Sequence, residues 1–222
     1  MSLVSGQIIK ESEVAYLAVT MHGEGKFNPT SLAEFNSVLD ELDQDTDIQC
    51  LIITGEGKNF SQGLDLAYLT SAPPEESAAF VDSCMLMIGR LLTSGVPVVS
   101  AVNGHAFGLG AMIMLASDYR VMREDRGYFC LPEVDLGMVL IPSMNALVKH
   151  KLSRRGVRDL LLAGARAGAV QLQAYEVVDE CCLLEEVMEK AMAIAAPMIG
   201  KDRGTVSGLK RGVNEEVLVA IK

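Results

Sequence analysis

The sequence predicts a layered α/β domain, and three observations carry that prediction. Residues 50–69 and 96–117 repeat one theme: a short apolar strand, a Gly-rich turn, then an apolar helix. Crossover units of this kind cover a sheet with helices. Upstream, "EVAYLAVT" (13–20) reads as a strand and is followed by an amphipathic helical stretch in the same order. Beyond Ser143 the text turns mostly helical, so the strands crowd into the first part of the chain.

Taken in order, "EVAYLAVT" is β-branched and alternating enough for a strand, and "GEGKFNP" turns the chain. "SLAEFNSVLDELDQD" places Leu32, Phe35, Leu39 and Leu42 at helical spacing, with Thr30 or Ser31 as the expected N-cap. "QCLIITGEG" is a buried strand ending in Gly, and "KNFSQGLDLAYL" is a loop running into a short helix. "SAPP" (71–74) breaks the chain, and "EESAAFVDSCMLMIGRLLTSG" is a long amphipathic helix that stops near Gly95. "VPVVSAVNG" is a second buried strand, and "FGLGAMIMLASD" is a turn and helix. "YRVMRED" and "YFCLPE" are short extended pieces, and "SMNALVKHKLS", "RRGVRDLLLAG" and "LEEVMEKAMAIAAPMI" are helices. The expected organisation is a core over residues 1–145 and a helical region over 146–222, forming one domain overall.

Composition excludes several functions. The net charge is −10 over 222 residues, which disfavours nucleic acid, because phosphate binding needs a positive surface. The densest basic stretch, "KHKLSRRGVR" (149–158), reads as a solvated helix face, with a local anion patch as the alternative. Half the residues are hydrophobic and the mean hydropathy is +0.27, so the chain folds rather than remaining disordered. The longest apolar run, Ala106 to Ala116, falls short of the about 20 residues a membrane helix requires. "MSLVSGQIIKESE" lacks the pattern of a signal peptide, and "VAIK" is no peroxisomal address of the Ser-Lys-Leu type, so a cytoplasmic location is expected. Cys50, Cys84, Cys130, Cys181 and Cys182 do not pair at metal-ligand spacing; buried thiols in a reducing compartment and no metal are expected.

The stretch "NGHAFGLGAMIMLASDYRV" poses the chemical question. A dinucleotide fingerprint starting at Gly108 and Gly110 needs a third Gly where Ile113 stands, and neither a P-loop nor a Gly-x-Ser-x-Gly elbow occurs. The remaining use is the backbone. Free N–H groups at a helix start carry partial positive charge and stabilise a carbonyl oxygen that gains negative charge. The turns "SQGLD" and "FGLGA" could each give one N–H to the same oxygen; the alternative is that the glycines only permit tight packing. Glu133, after Pro132, reads on its own as a solvated turn carboxylate. His105 reads as structural, Asp65, Asp118 and Glu124 as caps or surface charges, and Met85, Met87, Met112 and Met114 as lining for a core or an acyl chain.

The motifs resemble those of a known family. "LIITGEGKNFSQGLDL", "PVVSAVNGHAFGLGAMIMLASDYRV" and "PEVDLGM" are similar, in order and spacing, to three signatures of the crotonase (enoyl-CoA hydratase/isomerase) family, over about residues 13–165. The resemblance implies a spiral of β-β-α units, two roughly perpendicular sheets ringed by helices, and an acyl-CoA thioester as partner and substrate. No separate cofactor is implied, since coenzyme A is part of the substrate. The implied oxyanion hole is the backbone N–H of Leu64 and of Leu109. The implied substrate contacts are Ser61, Gln62, Gly63, Leu64 and Asp65 of the first motif, and Gly108, Leu109 and Met112 of the second.

The resemblance also implies which carboxylates act. Hydratases of the family use two glutamates; the first position is Met112 here and the second is Glu133. One carboxylate is the pattern of Δ3,Δ2-enoyl-CoA isomerases, and "DYRVMREDRGYFCLPEVDL" and "FNPTSL" look like the plant peroxisomal type in particular. Leu131, Val134, Met138 and Val139 are expected to surround Glu133 and raise its pKa. A hydratase and a non-catalytic acyl-CoA-binding protein stand as alternatives. The chain is read as ending soon after residue 210, where many members carry further helices that help build trimers. A homotrimer and another homo-oligomer are thus both left open.

Overall fold

The computed structural model describes residues 2–221. Its opening strands, β1 (Val4–Glu11) and β2 (Val14–Met21), form an antiparallel hairpin whose turn places Ser12 at φ +55. From β2 onward the chain repeats one circuit: a long strand, one or two very short strands, then a helix. The first circuit runs β2, β3 (Lys26–Phe27) and α1 (Pro29–Gln44). The second runs β4 (Ile48–Gly55), β5 (Asn59–Ser61), β6 (Gly63–Leu64), α2 (Leu66–Ser71) and α3 (Pro74–Thr93). The third runs β7 (Val98–Val102), β8 (His105–Phe107) and α4 (Leu109–Ala116). The fourth runs β9 (Tyr119–Arg123), β10 (Phe129–Cys130), α5 (Glu133–Leu136) and α6 (Pro142–Lys151).

The rest of the chain begins with α7 (Arg154–Gly156), which continues as a π-helical turn over Val157–Leu162, and α8 (Ala169–Ala174). Next come β11 (Glu180–Cys182), α9 (Val187–Ile194), α10 (Arg203–Val213) and α11 (Glu215–Ala220). The long strands assemble as a six-stranded sheet, β1-β2-β4-β7-β9-β11, parallel apart from the β1–β2 pair. The short strands form a three-stranded sheet, β10-β8-β5, and the pair β3-β6. This is the α/β spiral of β-β-α units that the motifs implied.

Alternation along the strands divides the core. Leu17, Leu51, Ile53, Val98 and Val102 pack toward α1, α3 and α4. Their neighbours Tyr16, Cys50, Ile52, Val99 and Ala101 face the other way, onto Val187, Ala191 and Ala195. The α9 segment is therefore what lets the central strands be apolar on both faces.

Four details depart from the sequence reading. Strand β1 was not anticipated; "VSGQIIKE" is an edge strand, mostly open to solvent and weakly patterned. The N-cap of α1 is Asn28, not Thr30 or Ser31: its Oδ1 accepts from both of their N–H groups, while Ser31 Oγ accepts from the Asn28 N–H. Pro29 at the first helical position brings the cap one residue ahead of it. The region 146–222 is not purely helical, since β11 completes the large sheet beside β9. Residues 203–220 are helical, as expected of that region, but their two helices, α10 and α11, were not singled out one by one.

The two last helices are anchored by buried polar side chains. Lys210 Nζ pairs with Asp118 and donates to the Val96 carbonyl at 2.9 Å, and Asn214 Nδ2 donates to the Leu92 carbonyl at 3.1 Å. Asp118 is thus half of a largely buried ion pair rather than a surface charge. Among the described residues no helix is long and apolar enough to cross a membrane.

Candidate active site

The two glycine turns meet. Gly63 has φ +80, a conformation that side-chain-bearing residues rarely adopt, and a Cβ there would lie 2.9 Å from the Leu109 nitrogen and 2.5 Å from the Phe107 oxygen. Gly108 has φ +52 and turns the end of β8 into α4. Its own N–H is used, donating to the Cys130 carbonyl at 3.0 Å, and the α4 ladder begins with Met112 N–H to Gly108 O at 3.1 Å. Leu109 is the first residue of that helix, so its N–H has no acceptor within the helix.

On the other turn, Gln62 N–H donates to Glu24 O at 2.9 Å and Asp65 N–H to Phe27 O at 2.8 Å. Gly63 N–H turns inward to Ser61 Oγ at 3.1 Å. Leu64 stands between these two turn-forming donors, Gly63 and Asp65. Leu64 and Leu109 both line one cavity of about 340 Å³.

Glu133 lines the same cavity. It opens α5, one turn of helix begun by Pro132 and closed by Gly137 in the left-handed conformation, with Met138 N–H donating to Glu133 O at 2.9 Å. Its Oε2 is buried with no hydrogen-bond partner. Burial pushes the carboxyl pKa above its ordinary value, partly opposed by a hydrogen bond from its own backbone. A carboxylate in that state is a stronger base than one in water.

The surroundings of Glu133 differ in part from expectation. Met138 and Val139 line the cavity, joined by Leu136, Leu140, Ile141 and Met144. Val134 instead points to Gly164, whose added Cβ would lie 2.9 Å from its Cγ1, and Leu131 is fully buried.

The other residues singled out in sequence fall into two groups. Gln62, Asp65, Gly108 and Met112 line the cavity with Leu64 and Leu109. Asp65 also caps α2, its Oδ1 accepting from Ala67 N–H at 3.1 Å and Tyr68 N–H at 3.4 Å. Ser61 and Gly63 do not line it. Ser61 is fully buried and its hydroxyl donates to Gly25 O at 2.6 Å while holding the Gly63 N–H. These two residues shape the turn and do not reach its contents.

His105 lies outside the cavity, its ring beside Phe107 (5.3 Å) and Tyr128 (5.6 Å). Burial first, then the nearby cations Arg126, Lys58 and Arg166, hold its pKa down. Met85, Met87 and Met114 belong to the core, while Met112 is both core and cavity lining. Sequence reading missed Lys26, Leu66, Leu69, Val81 and the run Leu140–Ile141–Met144. Val81 carried no signal at all, since it lies in the middle of α3, well past the first motif.

Among the described residues no group of three or more His, Cys, Asp and Glu side chains is placed to hold a metal ion. All five cysteines are free thiols. Leu64, Leu109, a carboxylate with one buried and unpartnered oxygen, and mostly apolar walls thus share one cavity, a set that can polarise a carbonyl group and transfer a proton.

The chain is similar to known proteins over most of its length. The family model for enoyl-CoA hydratase/isomerase matches residues 12–220. The peroxisomal enoyl-CoA delta isomerase 2 of Arabidopsis thaliana is 32% identical over 86% of this chain and 82% of its own length. A putative enoyl-CoA hydratase of Thermus thermophilus is 32% identical over 76% of this chain and 67% of its own. Among solved structures, a probable enoyl-CoA hydratase of Mycobacterium tuberculosis superposes with a TM-score of 0.88 at 25% identity, covering 97% of this chain and 91% of that one. An apo structure of that same Mycobacterium tuberculosis protein, there described as an enoyl-CoA isomerase, has a TM-score of 0.88 at 26% identity, covering 99% of this chain and 94% of that one.

Proposed function

Because the chain belongs to the enoyl-CoA hydratase/isomerase (crotonase) family, we propose that it is a Δ3,Δ2-enoyl-CoA isomerase working with a single base. The observation that carries the proposal is the pairing of Glu133 with Met112 in one cavity. Glu133 has a buried carboxylate oxygen without a partner, and Met112 is a thioether. The other lining carboxylate, Asp65, is committed to capping α2.

In this reading the thioester carbonyl of a 3-enoyl-CoA points at the N–H groups of Leu64 and Leu109. Its α-proton is acidified because the carbanion delocalises into the carbonyl and the neighbouring double bond. Glu133 removes that proton, the two N–H groups stabilise the dienolate oxygen, and the same carboxyl returns the proton at the γ-carbon. The double bond moves from C3–C4 to C2–C3 and nothing is added or lost. One oxyanion donor is worth about 10²- to 10³-fold in rate. A hydratase must also hold and activate a water at the β-carbon, and a site for that water needs two or more polar partners. A methionine sulfur is a weak acceptor with no proton to give.

The test is product analysis by mass, with 3-enoyl-CoA and 2-enoyl-CoA supplied separately. Conversion of the first to 2-enoyl-CoA at unchanged mass, with negligible hydration of the second, supports the isomerase. Fast gain of one water by 2-enoyl-CoA makes the chain a hydratase. Binding without conversion of either makes it an acyl-CoA-binding protein.

A further inference from the structure

Glu133 is carried by α5, a helix of 4 residues. A helix that short does not hold itself in water, so its direction is set by what packs behind it. The segment behind it is "AGARA", residues 163–167, and none of these residues lines the cavity. Gly164 is buried, with φ +61, and a Cβ there would lie 2.9 Å from Val134 Cγ1 and 3.2 Å from Asp135 Oδ2. Val134 and Asp135 are the two residues that follow Glu133. Ala167 exchanges two backbone hydrogen bonds with Phe129, at 2.9 and 3.0 Å, and so fixes the strand that leads into Pro132 and Glu133. The Arg166 guanidinium lies 5.7 Å from the centre of the Phe107 ring, and Phe107 immediately precedes the Gly108–Leu109 turn. One strap therefore touches both turns that meet at the cavity.

The strap is itself held in place. The chain enters it from the π-helical turn over Val157–Leu162, a rare form that often marks a functional site. Ala163 N–H donates back to Arg158 O at 3.0 Å, and Ala165 N–H to Asp159 O at 3.1 Å. The Asp159 side chain is fixed in turn, accepting from Arg158 Nε at 2.7 Å and from the Tyr175 hydroxyl at 2.7 Å. Those two hydrogen bonds, the one from Arg158 foremost, hold its pKa down to about 2, so it stays a carboxylate.

We propose that Gly164 is a positioning residue for the base: the strap sets how far the Glu133 carboxyl stands from the Leu109 side of the cavity, and a side chain at 164 would push α5 through Val134 and Asp135. The inference rests on the isomerase reading above and names the residue that places its base. A carboxyl that serves two carbons of one substrate must lie within hydrogen-bond reach of both. A misplacement of about 1 Å costs about 10²-fold in rate, even when its cause lies away from the chemistry.

The experiment measures steady-state turnover of 3-enoyl-CoA, and calorimetric affinity for butyryl-CoA, which binds without reacting, in the full chain and its variants. Gly164→Ala should lower kcat by at least about 10-fold and keep affinity within about 2-fold. Gly200→Ala is the control: Gly200 has φ +73 and an added Cβ there meets nothing within 4 Å, so the change brings similar backbone strain without the contact. Both variants should melt lower by about 2–8 °C, and only Gly164→Ala should lose turnover. Gly164→Ala with Val134→Ala moves one methyl across the contact at constant volume and should bring kcat back to within about 3-fold of the parent. Val134→Leu crowds the contact from the α5 side at a half-exposed position, so it folds even where Gly164→Ala does not, and it should lower kcat in the same direction. Parent kcat in Gly164→Ala or in Val134→Leu overturns the proposal. So does an equal loss in Gly200→Ala, which makes strain the cause, and so does a double variant as slow as Gly164→Ala alone. A parent chain that does not turn over 3-enoyl-CoA sinks the isomerase reading and this inference together. An active parent with any of the overturning results sinks only this inference.

Discussion

Gly63 and Leu109 lie in separate circuits of the spiral, yet a single carbon added to Gly63 would stand 2.9 Å from the Leu109 nitrogen. That closeness brings two loops together at one wall of the cavity. It also explains why glycine stands there: the same added carbon would be 2.5 Å from the Phe107 oxygen, closer than any real contact.

The turn glycines separate catalysis from packing. A Cβ on Gly108 would meet nothing within 4 Å, but its φ of +52 strains any other residue. Gly108→Ala is expected to cost about 1–2 kcal/mol of stability. By re-aiming the Leu109 N–H it should cost about 10²-fold in turnover, the scale of one oxyanion donor. A Cβ on Gly110 would lie 2.5 Å from the Ser61 oxygen in a buried setting, so Gly110→Val should lose folding and activity together. Thermal melts and turnover on both variants check this. A Gly108→Ala protein with full activity would remove Leu109 from the oxyanion site.

Glu133 makes opposite contributions to stability and to chemistry. Its pKa is raised in the folded chain, so the folded state binds the proton more tightly than the unfolded one. The carboxyl therefore costs stability once pH rises through its folded pKa, and that cost vanishes below its unfolded value. Glu133→Gln is expected to melt higher than the parent at neutral pH, with the gap closing as the solution is acidified below about pH 4.5, the ordinary range of a glutamate. In the parent, kcat/KM should rise with pH through a pKa above that range. Equal melting of the two proteins at neutral pH would mean the carboxylate is solvated.

Met112 lies in the core and on the cavity wall at once. Met112→Glu would put a second carboxyl near Glu133, and two neighbouring carboxyls separate their pKa values so that one holds a proton. The variant is expected to gain measurable hydration of 2-enoyl-CoA, lose part of its isomerase rate, and lose stability by about 1–3 kcal/mol for the buried polar group. Product masses and melts on the purified variant check it. A folded variant with no hydration would mean that a second carboxyl alone does not make a water site.

Lys210 fastens α10 to the sheet through Asp118 and the Val96 carbonyl. Removing one partner of a buried pair leaves an uncompensated charge, so Lys210→Met should cost about 3–5 kcal/mol. Replacing both members, Lys210→Met with Asp118→Asn, should cost less than the single change. Denaturant titrations of the two variants measure the difference.

What could be read in advance follows from where the signal lies. The strands β2, β4 and β7 are apolar runs bounded by glycines, and α1 and α3 carry helical periodicity, so local text was enough. Strand β1 is an exposed edge with polar residues through its middle, and β11 is three residues long, so their pairing partners define them rather than their own pattern. The helices α10 and α11 are held by Lys210 to Asp118, a contact 92 residues apart that no local pattern records. At the site, the motif residues Glu133, Leu64, Leu109 and Met112 do share one cavity. Ser61 was misplaced because a motif position does not say which way a hydroxyl points; here it binds Gly25 inside the fold. Val81 and Lys26 were invisible because folding alone brings them to the wall.

In the proposed reaction one carboxylate, Glu133, moves the proton. The most direct measurement is the steady-state rate of 3-enoyl-CoA to 2-enoyl-CoA conversion by Glu133→Gln, alongside its affinity for a saturated acyl-CoA. The predicted result is a rate lower by at least about 10²-fold, the scale of general acid–base catalysis, with affinity kept near that of the parent. A variant that isomerises at the parent rate would contradict the account and place the chemistry on another residue.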